Sequence, residues 1–114
     1  MTDIRTRGIT YEQNISGTST DSYVKVATFD LKGLSNLELY LYNADAGNTI
    51  KYKGVWYLTA DGTYTTASIA EATLAPATGI LIEKSSLILD RIEFWIKSNA
   101  GSHPADFTIE ALVK

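Results

Sequence analysis

A chain of 114 residues with 45% hydrophobic composition suits one domain with a single core and leaves little room for a second. The formal charge of −3, from 13 acidic and 10 basic residues, argues against the basic footprint of a nucleic-acid binder. The absence of cysteine excludes disulfides, thiolate metal sites and a cysteine nucleophile. Apolar runs of a few residues fall far short of the roughly 20 that a spanning helix needs, so no membrane partner is expected.

The chain starts with "MTDIRTRG", which lacks the apolar stretch of a secretory signal and fits assembly in the cytoplasm or export within a larger particle. Arg5 and Arg7 make a small basic patch there. Residues 1–8 are either a solvated end or an arm that docks on a partner. No long segment has helical periodicity; alternation of period two recurs instead, broken by Gly, Asn, Asp and Ser. A first strand is expected over 8–15, a polar loop over 16–22, and a second strand over 23–31. "NLELYLYN", 36–43, puts Leu37, Leu39 and Leu41 on one face and Glu38, Tyr40 and Tyr42 on the other. The next strand, 49–60, aligns Ile50, Tyr52, Trp56 and Leu58 opposite Lys51, Lys53, Val55 and Tyr57. Gly54 sits amid it and marks a candidate bulge that could switch the phase.

Asp61 and Gly62 form a hairpin signal, with the returning strand expected over 63–70. Pro76 makes a central strand over 71–79 unfavourable, so that segment reads as a short helical turn or a crossing loop. A short strand starts at Ile80. In "DRIEFWIKS", 90–98, Ile92, Phe94 and Ile96 oppose Arg91, Glu93, Trp95 and Lys97. A loop over 99–105 leads to a last strand with Phe107, Ile109, Ala111 and Val113 in phase. About eight short strands, each with one apolar face, predict an all-β fold: two antiparallel sheets packed as a sandwich, of jelly-roll or other Greek-key type, with a barrel as the alternative. One domain spans 1–114.

Candidate chemistry is sparse. His103 is the single histidine and lies in a loop. Ser102, His103 and Asp106 compose a triad only on paper, because sequence neighbours rarely converge in space. One histidine without cysteine cannot build a conventional zinc site. Asp45 and Asp61 could offer oxygens to calcium but lack the close carboxylate series of a calcium loop. Glu38 and Glu93 are the best carboxylate pair for a glycosidase, and outward strand glutamates are ordinarily solvated. No cofactor is expected.

Tyr40, Tyr42 and Trp95 stand out, since each alternates against core residues. Strand propensity and a covering loop are the plain explanation. A protein–protein interface is the second, since large rings with polar tips suit subunit contacts. A sugar-stacking platform is the third.

The run "SGTSTDSY", then "VKVATFDLKGLSNLELYLYNAD", the "YKGVWYLTADG" strand and hairpin, and the closing "DRIEFWIKSNAGSHPADFTIEALV" together resemble small β-sandwich structural proteins of tailed bacteriophages and related archaeal viruses. The likeness is one of strand and turn layout over residues 16–114. It implies a virion component without enzymatic activity: a capsid decoration or cement protein, assembled in the host cytoplasm. Its partners would be other copies of itself, most simply in a trimer, and the major capsid protein or other virion proteins. Tyr40, Tyr42 and Trp95 would then make subunit contacts, with Arg5 and Arg7 reaching onto the shell. The alternative is a carbohydrate-binding module or tail-associated receptor-binding domain that takes a glycan.

Overall fold

The structure, a computed structural model, describes residues 10–62 and 67–114. Eight strands follow in order: β1 (Tyr11–Thr18), β2 (Val24–Asp30), β3 (Leu37–Asn43), β4 (Ile50–Tyr57), β5 (Ala67–Leu74), β6 (Thr78–Lys84), β7 (Arg91–Ser98) and β8 (Asp106–Val113). β1 pairs with β8, β2 with β7, β3 with β6 and β4 with β5, all antiparallel. The chain is thus one long hairpin whose tip is the β4–β5 connection. Rolling it up adds the β3–β8 and β4–β7 pairings. The product is a first sheet ordered β1-β8-β3-β6 and a second ordered β2-β7-β4-β5. This is the jelly-roll form of the expected sandwich.

The alternating strands bury what their pattern assigns to the core. Leu37, Leu39 and Leu41 of β3 are fully buried, facing Ile50, Ile92 and Phe94 of the second sheet. Phe94 is central, with ring centroids 6.2 Å from Phe29 and 5.8 Å from Tyr52. Each such side chain adds about 1.5–3 kcal/mol on burial. Two polar clusters tie the sheets together at one end. The Asn43 amide, fully buried on β3, donates to the carbonyls of Asn48 (2.8 Å) and of Leu74 on the facing sheet (3.1 Å). Its oxygen accepts from the Asp45 N–H at 3.0 Å. The Ser19 and Ser98 hydroxyls meet at 2.8 Å, and the Ala105 N–H donates to Ser19.

Several boundaries depart from expectation. β1 runs three residues further along the chain than the 8–15 segment, because Ser16, Gly17 and Thr18 pair with Thr108, Phe107 and Asp106. Gly17 permits this: a Cβ there would lie 3.0 Å from the Phe107 ring. The segment 71–79 is neither a helical turn nor a crossing loop. β5 continues to Leu74, and Pro76 falls in the turn to β6, where Ala77 takes φ 52° and its N–H donates to the Asp45 carbonyl. The hairpin signal at Asp61–Gly62 does lie between β4 and β5, with the Gly62 N–H donating to Thr59. Residues 63–66 of the expected return strand lie outside the described residues. Leu58, assigned to the core face, is 59% exposed because β4 ends at Tyr57.

Gly54 does not switch the phase of β4. Tyr52 is buried and Trp56 packs against the core on the same side. The irregularity is instead in β5, whose pairing slips between Tyr52 and Gly54 and again between Gly54 and Val55. The side chain of Ile69 folds over Gly54, where an added Cβ would lie 2.8 Å from its Cδ1 and 2.9 Å from its Cβ.

Candidate functional site: two aromatic sheet faces

The outer face of the first sheet presents Glu12 and Asn14 from β1, Glu110 and Leu112 from β8, Glu38, Tyr40 and Tyr42 from β3, and Leu81 and Glu83 from β6. The Tyr40 and Tyr42 rings stack, with centroids 6.5 Å apart and planes at 12°. Tyr42 pairs with Gly79, and a Cβ at 79 would sit 1.9 Å from the Tyr40 hydroxyl oxygen. Tyr40 therefore lies across the edge strand only because that position has no side chain. Tyr40 and Leu81 remain 41% and 59% exposed. A shallow depression of about 260 Å³ lies beside them, lined by Glu12, Asn14, Glu38, Glu110 and Leu112 among others. Lys114 approaches Glu38 at 2.9 Å, and that bond holds the Glu38 carboxyl below its usual range.

The second sheet carries the other ring set. Trp95 on β7 lies in register between Lys25 of β2 and Lys53 of β4. It is half-buried, and its indole nitrogen is inaccessible and has no hydrogen-bond partner among the described residues. Glu93 is buried despite its outward parity, because Lys25 (3.5 Å) and Arg91 (3.3 Å) close over it. Arg91 in turn lies 4.1 Å from the Tyr57 ring centroid. Tyr23, just ahead of β2, stretches over this face. The ammonium groups of Lys53 and Lys97 stand 4.5 and 5.5 Å from its ring centroid, and its hydroxyl donates to Glu71 at 2.5 Å. Burial, then the Glu71 carboxylate, push the Tyr23 phenol well up. Glu71 is held down by the Tyr23 hydrogen bond, with Lys51, Lys53 and Lys97 assisting against desolvation.

The three outward rings singled out in the sequence are therefore not one patch. Tyr40 and Tyr42 lie together on one side of the sandwich, and Trp95 lies on the other. Arg5 and Arg7 fall outside the described residues. Sequence reasoning missed the Tyr23–Glu71 bridge and the role of Gly79. The alternating Lys51 and Lys53 were the available signal for the cationic face.

The paper chemistry separates in space. The His103 Nδ1 donates to the Gly101 carbonyl at 2.7 Å, the Ser102 N–H donates to Asp21, and Asp106 accepts from Thr18. Asp45 caps its own turn, accepting from Gly47 and Asn48. Glu38 and Glu93 stand on opposite faces of the sandwich and cannot flank one glycosidic bond. Among the described residues, no group of three or more His, Cys, Asp or Glu is placed to hold a metal ion.

The fold and these surfaces define the class: a small jelly-roll sandwich with an aromatic outer face on each sheet. No protein-family model matches the chain, and no curated protein matches it in sequence. Its fold is shared with solved structures at low identity. A chain from Bacillus endospore appendages, a family of disulfide-linked pili, superposes with a TM-score of 0.62 at 13% identity, covering 93% of this chain and 87% of that one. PirA gives 0.65 at 9% identity, covering 84% and 90%. A chain of the T13 IBDV viral particle gives 0.50 at 11% identity, covering 91% of this chain and 31% of that one. These likenesses show the fold, and they spread over unrelated proteins rather than singling out the decoration proteins of tailed phages.

Proposed function

We infer that the chain is a self-associating structural protein of a virion, a capsid decoration or cement subunit that acts only by association. The observation that carries this reading is the Tyr40–Tyr42 pair, stacked across a glycine on an open sheet face with Leu81 exposed beside it. A face that spends a special backbone position on displaying two rings is suited to being covered. The jelly-roll fold, which a viral particle chain shares, supports the same reading. In assembly, many shallow contacts repeated by symmetry add free energy to a shell through avidity. The working oligomer that the sequence resemblance implies has three copies.

The test is substitution of both tyrosines. Tyr40→Ser with Tyr42→Ser should lower the assembled fraction in solution while leaving the melting temperature within a few degrees of the parent. Unchanged assembly would contradict the reading. The open depression beside Tyr40 favours a second reading, glycan binding on the same face. A glycan-array signal lost in Tyr40→Ser, with assembly unchanged, would select it.

A further inference from the structure

The two outer faces differ in charge as well as in the strands that build them. On the first sheet, Lys114 neutralises Glu38, while Glu12, Glu83 and Glu110 are exposed and have no ion-pair partner among the described residues. On the second, Glu93 is buried beneath Lys25 and Arg91, and Glu71 is shared among Lys51, Lys53 and Lys97. That leaves one face acidic and the other basic, each with aromatic rings at its centre.

We propose that the tyrosine face of one copy docks on the tryptophan face of a second copy, a heterologous contact in which the free glutamates meet the lysine cluster. The proposal rests on the self-association inferred above but not on a count of three. Like faces would set glutamates on glutamates or lysines on lysines, and that like-charge repulsion disfavours a two-fold dimer through either face. Unlike faces match in charge and cover both ring sets at once. Because the faces lie on opposite sides of one sandwich, each docked copy still offers a free face, and the contact propagates as an open stack rather than closing.

The test is a charge-swap mixture. One variant carries Lys51→Glu and Lys53→Glu; the other carries Glu12→Lys and Glu110→Lys. Each alone should self-associate at least about tenfold more weakly than the parent, because its two faces now match in sign. An equimolar mixture should recover association to within about threefold of the parent, since every alternating junction is again opposite in sign. Circular dichroism melts establish that both variants fold, and Lys97→Glu replaces the lysine pair if that variant does not. A parent that associates while the mixture fails to recover overturns the face pairing and leaves self-association standing. So does a variant that associates as well as the parent. A parent that stays monomeric overturns both.

Discussion

Replacing Gly54 by alanine is the most searching probe of how the second sheet is packed. The added methyl would lie 2.8 Å from Ile69 Cδ1, 2.9 Å from its Cβ and 3.0 Å from its Cγ1, each well inside van der Waals contact. Ile69 is 4% exposed and fixed within the core, so it has little room to withdraw. Overpacking of this kind costs about 1–3 kcal/mol. Loss of glycine's freedom in the unfolded chain returns about 0.4–1 kcal/mol. The net expectation is destabilisation of about 1–2 kcal/mol, a fall of roughly 5–10 °C in melting temperature for a domain of this size. A second variant, Gly54→Ala with Ile69→Val, separates the side-chain tip from the Cβ. Valine removes the flexible Cδ1 tip but keeps the Cβ, which is held by the backbone. The double variant should therefore stay at least about 1 kcal/mol less stable than Ile69→Val alone. Urea titrations followed by circular dichroism measure both. A Gly54→Ala protein as stable as the parent, or full rescue by valine, would refute the claim that the Ile69 side chain is packed directly on Gly54.

Two further outcomes follow from the polar groups. Asn43→Ala strands the Leu74 and Asn48 carbonyls and the Asp45 N–H between the sheets, and should cost about 2–4 kcal/mol in a urea titration; a loss under about 1 kcal/mol would mean that water replaces the amide. The Tyr23 phenol, raised in the folded state by burial and by Glu71, contributes stability that is full below its unfolded value of 10.0 and is lost as pH rises beyond it. Tyr23→Phe should flatten that alkaline decline between about pH 10 and 11 without abolishing it, since the Tyr52 and Tyr57 phenols are raised as well. An unchanged slope in denaturation at those pH values would remove Tyr23 from the account.

Much of the fold is legible in the alternation of single strands. Leu37, Leu39 and Leu41, or Ile92, Phe94 and Ile96, declare which way each strand faces, and turn residues declare where the strands end. Alternation does not say which sheet a strand joins. That depends on pairings between strands far apart in sequence, and so Tyr40 and Trp95 read as companions although β3 and β7 lie in opposite sheets. The length of β5 was hidden because a proline two residues past a strand's end resembles one that interrupts it. Glu93 carries an outward parity yet is buried, since Lys25 and Arg91 reach over it from the neighbouring strand and from its own. Gly79 had no signal beyond being a glycine at the start of a strand; only the path of the Tyr40 ring gives it meaning.

The central claim is that the exposed rings are covered by another copy of the chain. Sedimentation velocity of the parent protein across a wide range of concentrations tests it most directly. Species heavier than the 12.5 kDa protomer are expected, with a weight-average sedimentation coefficient that rises with concentration and falls at high salt. A single 12.5 kDa species at every concentration would contradict it.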